Sequence, residues 1–389
     1  MEKKKIGIVT FWQTTDNYGQ VLQAYALQKY LSLKGHKSFL IRYNFIGRKL
    51  YKPLWKRLLK KALVFPEIKR LQREKLERYN IEKDKKNNAE RLFNEFREKY
   101  FIFSEKSYNT LQELRTDPPK ADCYITGSDQ VWAQLLNVED NKAFFLDFGP
   151  EHILRISYAA SFAMTTYPPT LCKLLKKQLS HFNAISVRED SGVDICANVG
   201  AKAQKVLDPT LLIDKQNYLE LTSSISRKKK PYIYIYSLNI ESPKDIGWDD
   251  IKKYADCHNW GVIVTSSSGY ITGNGVWNDE KVQLEKATVE EWLSNIERSN
   301  LFVTTSFHGV VFAVILQKDF VYVPLKGKYS KGNNRALDLL SSLNLSERVY
   351  SGGNSFEHII ENTIDWGLVS RLLQNEKNRS EEFLFNSLS

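Results

Sequence analysis

The stretch Leu301 to Val323, LFVTTSFHGVVFAVILQKDFVYV, limits the possible folds more than any other part of the chain. Leu301 to Val303 is a short apolar run of strand formers. Thr304 to Ser306 places hydroxyls where a helix N-cap belongs, and Val310 to Leu316 continues apolar into a buried helix before a second strand. Such a strand–turn–helix–strand unit belongs in a parallel sheet, and it sets His308 where a strand's carboxyl end meets a helix N-terminus. Free N–H groups and the helix dipole favour an anion there, so phosphate or carboxylate is the expected ligand. A histidine seen alone in that place serves equally well as a hydrogen-bonded core residue. Its hydroxyl-bearing neighbours and Gly309 favour the functional reading.

A second such unit opens the chain. Ile6 to Phe11 reads as a buried strand, Thr14 to Gly19 as a polar turn, and Gln20 to Gly35 as a helix that buries Leu22, Ala26, Leu27, Tyr30 and Leu31. Ser38 to Tyr43 is the next strand. Ala121 to Thr126 is another, ending in Gly127, Ser128 and Asp129. Asp129 suits a general base or a hydroxyl-binding carboxylate, although an Asp after a strand is more often an N-cap. Arg155 to Phe162 reads as a strand, residues from Pro168 to His181 as a helix, and Ala184 to Arg188 as a strand that presents Arg188. An arginine fork suits a carboxylate or phosphate, or else pairs with the adjacent Glu189. Pro209 ends the first half, and Ser223 to Lys230 is linker-like.

The pattern then restarts: strands at Tyr232 to Tyr236 and Gly261 to Thr265, helices at Asp249 to Asn259 and Val289 to Arg298, then the His308 unit. Arg335 opens a helix to Leu343, and Thr363 to Phe385 reads as helix. The fold class is therefore α/β, with two Rossmann-like domains at 1–210 and 211–350 facing across a cleft. Terminal helices at 351–389 would pack back on the first domain.

With 389 residues, 42% of them hydrophobic, the chain can bury a core large enough for two domains. Cys123, Cys172, Cys196 and Cys257 lie far apart with no paired metal spacing, so a reducing, cytoplasmic setting without a structural metal is expected. The net charge of +11 is concentrated: residues 48–99 hold 18 Lys and Arg against 8 Asp and Glu, within a helical insertion at about 46–100. Arg48 to Lys61 carries seven basic residues and no acidic one, with Trp55, Leu58, Leu59 and Ala62 at helical spacing. That amphipathic pattern fits an anionic membrane surface, or an aromatic stripe docked on the domain. Nucleic acid is not expected, because no recognised binding motif accompanies the charge.

Taken together, Asn17–Tyr18–Gly19 with Ala26–Leu27, Gly127 to Trp132, Ser186 to Glu189, Asp208–Pro209–Thr210, Ser306 to Gly309 and Asn334–Arg335 resemble the polysaccharide pyruvyl transferase family in order and strand context. The resemblance spans about residues 5 to 350. It implies a fold similar to B-type glycosyltransferases, phosphoenolpyruvate as donor, no further cofactor, and a sugar diol as acceptor that becomes a pyruvate ketal. Some members carry Arg two positions before the histidine, where this chain has Ser306. On this resemblance His308 is the general acid, and Arg188, Arg335, Thr305, Ser306 and Gly309 hold the donor. Asp129 acts as base or contact, and Gln13, Asp16, Asn17, Tyr18, Ser128 and Trp132 face the acceptor, with the two aromatics stacking on sugar or packing in the core. The rival readings are a nucleotide-sugar glycosyltransferase of the same architecture and a non-catalytic glycan-binding relative.

Acceptors of capsule-type pathways are commonly assembled on a lipid carrier, so the basic segment is expected to tether the enzyme at the inner membrane face. Each engaged Lys or Arg contributes about 1 kcal/mol, which salt screens. Co-sedimentation should therefore require anionic liposomes, weaken with salt, and drop when Lys56, Arg57, Lys60 and Lys61 are replaced by Gln. Equal pelleting with neutral vesicles would reject the tether.

Overall fold

The computed structural model describes residues 3–45, 82, 85–226, 228, 230–266, 277, 279–352 and 356–389. The basic segment 48–61 lies outside the described residues.

Two parallel sheets organise the chain. The first holds β1 (Lys5–Val9), β2 (Lys37–Tyr43), β3 (Phe103–Tyr108), β4 (Cys123–Thr126), β5 (Leu154–Ala160), β6 (Ala184–Val187) and β7 (Gln204–Lys205), in the order β3-β2-β1-β4-β5-β6-β7. The second holds β8 (Tyr232–Ser237), β9 (Gly261–Ser266), β10 (Val282–Leu284), β11 (Leu301–Thr304) and β12 (Phe320–Tyr322), in the order β10-β9-β8-β11-β12. In both sheets the first strand sits inside, and the order reverses beside it, between β1 and β4 and between β8 and β11. That reversal opens a crevice at the strands' carboxyl ends.

The central strands are apolar on both faces because helices cover both. Every residue of β8, YIYIYS, is buried, and so is every residue of β11. Helix α1 (Tyr18–Leu33) is capped by Asn17, whose Oδ1 accepts from Gln20 N at 3.1 Å. It ends just before Gly35, at φ +90°, a left-handed conformation that glycine adopts without a Cβ clash. Helix α2 (Val289–Arg298) begins in a reciprocal capping box of Thr288 and Glu291. Helix α3 (Phe307–Leu316) is buried on all sides apart from Phe307, which fits its unbroken apolar sequence.

Element ends differ from the sequence reading where local chemistry intervenes. The segment after Pro168 makes a 3₁₀ turn at Pro169–Leu171 before the α-helix Cys172–Leu179, because the prolines supply no amide hydrogens. Strand β5 stops at Ala160 instead of Phe162; Ala159 is left-handed at φ +54°, and the register to β6 shifts there. The last helix, α4 (Trp366–Leu388), begins three residues later than expected, where the Asp365 side chain accepts from Leu368 N. It lies against the first sheet's domain: Ser380 Oγ accepts from Leu207 N at 2.9 Å, and Glu381 pairs with Lys34 at 3.6 Å.

An aromatic contact joins the halves. The Tyr18 ring stacks on Trp292, with centroids 5.1 Å apart and an interplanar angle of 6°. The Tyr18 hydroxyl donates to Ala287 O at 2.6 Å and accepts from Arg91 NH1 at 2.6 Å. Burial pushes this phenol's pKa well above its ordinary value, so it stays a neutral donor. Tyr18→Phe should keep the stack and lose both bonds, lowering unfolding stability by about 1–3 kcal/mol in a denaturant titration.

Candidate active site

The crevice between the two sheets is a cleft of about 540 Å³ whose walls come from loops at strand carboxyl ends and from the first turn of α3. Asn17, Asp129, Gln130 and Glu189 line the side of the first sheet, and Asn239, Thr305, Ser306, His308 and Arg335 the side of the second. The backbone is strained along this wall. Asp129, Ala163 and Asn239 all line the cleft with left-handed φ values of +74°, +51° and +58°. Such conformations persist only where the surroundings impose them.

Beneath the cleft floor lies a buried charge network centred on Asp208, whose side chain is 0% exposed. Its Oδ2 accepts from Arg188 NH1 at 2.6 Å and from Ser128 Oγ at 3.0 Å, and stands 3.5 Å from His308 Nε2. Its Oδ1 accepts from Thr210 N at 3.1 Å and Thr210 Oγ1 at 2.7 Å. Burial alone would raise the Asp208 pKa. The facing His308, Arg188 and Thr210 outweigh it and hold the carboxyl well below the usual carboxylate range. At 3.5 Å the His308 contact is a long ion-pair distance, not a tight hydrogen bond.

His308 is the second residue of α3. Its partner across the domain boundary is Gly19: a Cβ there would stand 2.1 Å from both Cγ and Nδ1 of the imidazole. Only glycine lets α1 and α3 approach this closely. Gly309 serves packing, because a Cβ on it would meet Thr304 Oγ1 at 2.2 Å. Thr305 ties the ends of β8 and β11 together; its hydroxyl donates to Leu238 O at 3.0 Å and accepts from Leu238 N at 2.8 Å.

Two guanidinium groups flank Phe307, Arg188 at 4.7 Å and Arg335 at 5.6 Å from the ring centroid. Burial and the neighbouring Arg188 cation push the Arg335 pKa down from its ordinary value. Gln130, with its amide oxygen turned to Arg335, accepts from the two terminal nitrogens at 2.9 and 3.2 Å. Several buried polar atoms here have no hydrogen-bond partner: Arg188 Nε and NH2, Glu189 Oε2, Asn239 Oδ1 and His308 Nε2. Other buried polar atoms without a hydrogen bond lie elsewhere in the protein, and the five around this cleft fit a polar binding site.

Among the expected site residues, the structure brings His308, Asp129, Arg335, Thr305, Ser306 and Asn17 to the cleft. Others lie elsewhere. Arg188 sits under Phe307 in the Asp208 network, and Gly309 is a packing residue. Trp132 is fully buried, stacked on Phe145 at 5.2 Å with its indole N–H on Phe144 O, so it is core and not a sugar platform. Tyr18 is likewise core, and Ser128 is an internal partner of Asp208. Gln13 bonds Asn44 at 3.1 Å, and Asp16 accepts from the Thr14 hydroxyl at 3.3 Å; neither lines the cleft. The sequence reading did not single out Asp208, Phe307, Gln130, Glu189 or Asn239 as site residues. Asp208 and Glu189 were visible only as parts of short motifs whose spacing says nothing about who faces whom. No cluster of metal-ligating side chains occurs among the described residues, and no described helix is long and apolar enough to cross a membrane.

Two Rossmann-like domains around a shared cleft define the architecture of B-type glycosyltransferases and UDP-GlcNAc 2-epimerases. Solved structures bear this out. The UDP-N-acetylglucosamine 2-epimerase of Rickettsia bellii aligns with a TM-score of 0.50 at 9% identity, over 99% of this chain and 97% of its own. MnaA of S. aureus, in a co-structure with UDP, gives 0.51 at 10% identity over 92% and 86%. Arabidopsis thaliana UGT89C1, complexed with UDP-L-rhamnose, gives 0.50 at 10% over 100% and 97%. At such identities the likeness concerns the fold alone. No curated protein matches the sequence. The polysaccharide pyruvyl transferase family model matches residues 17–326, and the chain belongs to that family.

The Asp208 network makes a pH-dependent contribution to stability. Because the folded carboxyl titrates below its unfolded value of about 3.9, the stabilisation is complete above that pH and is lost as the pH falls through the folded value. Asp208→Asn leaves Arg188 buried without its anion, so it should lose about 3–5 kcal/mol near pH 7. The gap from wild type should narrow below about pH 4 in denaturant titrations.

Proposed function

We propose that this protein transfers the enolpyruvyl group of phosphoenolpyruvate onto a sugar diol of a polysaccharide precursor, releasing phosphate and leaving a pyruvate ketal. The observation that carries the reading is the convergence of His308, the N-terminus of α3 and the Arg188–Phe307–Arg335 stack at one end of a polar cleft.

Phosphoenolpyruvate brings a phosphate and a carboxylate. An anion beside Arg335 would offset the burial and the Arg188 repulsion that lower its pKa, and the N–H groups that open α3 add further donors. Ser306, at the N-cap, makes no side-chain cap bond, which leaves its hydroxyl for the donor. His308, held between Asp208 and Gly19, gives a proton to the methylene carbon while positive charge develops on the adjacent carbon. Asn17 and Asp129 stand on the opposite wall and meet the acceptor. No metal or further cofactor is required by these steps. The basic segment would keep the enzyme near a lipid-linked acceptor.

Incubating the protein with phosphoenolpyruvate and a panel of lipid-linked or synthetic galactosides should release phosphate and add one pyruvyl ketal to the sugar by mass spectrometry. Release of nucleotide from a sugar nucleotide instead would replace this reading with glycosyl transfer. His308→Gln should lower turnover by ~10²- to 10⁴-fold with donor binding kept. Arg335→Ala should weaken donor binding by about 1.5–3 kcal/mol in calorimetry. Wild-type turnover in His308→Gln would exclude the acid role.

A further inference from the structure

Forming the ketal needs a group that takes a hydroxyl proton while His308 gives one. Two carboxylates line the cleft, Asp129 and Glu189. Asp129 Oδ2 accepts from Gln20 Nε2 at 2.9 Å, and its Oδ1 stands 3.9 Å from Arg188 NH2, an ion-pair distance beyond hydrogen bonding. Glu189 differs. Its Oε1 accepts from Ser161 Oγ at 2.9 Å, Phe162 N at 2.8 Å and Ala163 N at 3.4 Å, which pins the side chain to the strained loop after β5. Its Oε2 has no protein partner, although the residue is only 3% exposed. Glu189 lines the same cleft as Arg335 and His308. The same loop runs on through Met164, Thr165 and Thr166 along the cleft wall, where hydroxyls suit a sugar.

From this arrangement we infer that Glu189 is the carboxylate that holds the acceptor's attacking hydroxyl and receives its proton at Oε2, a role that rests on the pyruvyl-transfer reading. In the first stage the acceptor oxygen bonds to C2 of the enolpyruvyl group as its O–H bond breaks, and the proton passes to Glu189 Oε2. The C2–C3 π pair takes a proton at C3 from the His308 imidazolium. In the second stage phosphate leaves with the electron pair of its C2–O bond and carries off the Glu189 proton. The second hydroxyl bonds to C2, and its proton returns to His308. Both residues end as they began. Asp129 is left as a contact on the acceptor side.

The test compares Glu189→Gln with wild type, using phosphoenolpyruvate and whichever synthetic galactoside the wild-type enzyme converts. Gln keeps an oxygen for the Ser161, Phe162 and Ala163 donors but cannot take the proton, so the fold should be kept, which circular dichroism checks. The expected result is a kcat lower by ~10²- to 10⁴-fold with a far smaller change in KM for phosphoenolpyruvate. Asp129→Asn should lose less. Ser161→Ala separates base from clamp: it loosens the loop while sparing the carboxylate, so a rate loss as large as that of Glu189→Gln would reduce Glu189 to a structural tie. Full turnover in Glu189→Gln alongside an active wild type would overturn the proton-accepting role alone. No ketal from wild type with any acceptor would overturn the pyruvyl-transfer reading and this role together.

Discussion

The buried carboxylate of Asp208 is the interaction on which the rest of the site depends. It stands in the segment that connects the two sheets and faces Arg188 of the first domain and His308 of the second. An ion taken out of water is tolerable only when its lone pairs are all met, and here Thr210, Ser128 and Arg188 meet them at hydrogen-bond distance. The arrangement is weak evidence for extra stability, because an apolar core of equal shape would serve as well. What it supplies is position: one anion holds the Arg188 guanidinium by a hydrogen bond and faces the His308 imidazole across a domain boundary at 3.5 Å.

Glycine and aromatic packing make that position possible. Gly19 lets α1 approach the imidazole, and Gly309 lets α3 turn tightly from β11. Tyr18 on Trp292 holds the two helical layers flush. These contacts lie within one continuous apolar core that runs through both domains, so the cleft has a rigid floor. Three residues strained into left-handed conformations, Asp129, Ala163 and Asn239, line the cleft above that floor, where the surroundings over-determine them.

The polar atoms at the cleft also explain why its chemistry is concentrated at one end. Arg335 is stacked, half-buried and repelled by Arg188, and among the described residues only the neutral Gln130 amide reaches its terminal nitrogens at hydrogen-bond distance. Phe307 keeps the two guanidinium groups apart while offering each a ring face. The opposite wall is built from hydroxyls, amides and carboxylates, the groups that read a sugar.

The sequence alone determined the α/β class, both crossover units, the presence of two Rossmann-like domains and the placement of His308 at a strand's carboxyl end. These rest on period, apolar runs and capping residues, which are local and therefore written in consecutive positions. It also pointed to Asn17, Asp129, Ser306 and Arg335. Tertiary structure alone decided that Arg188 pairs with Asp208, that Trp132 and Tyr18 belong to the core, and that Gly19 belongs to His308. Each of these depends on which surface meets which across a span of a hundred residues or more, or on which side of a turn a side chain leaves. Spacing cannot encode that. A motif such as Ser186–Val187–Arg188–Glu189 looks the same whether its charges face solvent, each other or a substrate, and only the packing of β5 and α3 against it separated the arginine beneath Phe307 from the glutamate at the cleft wall.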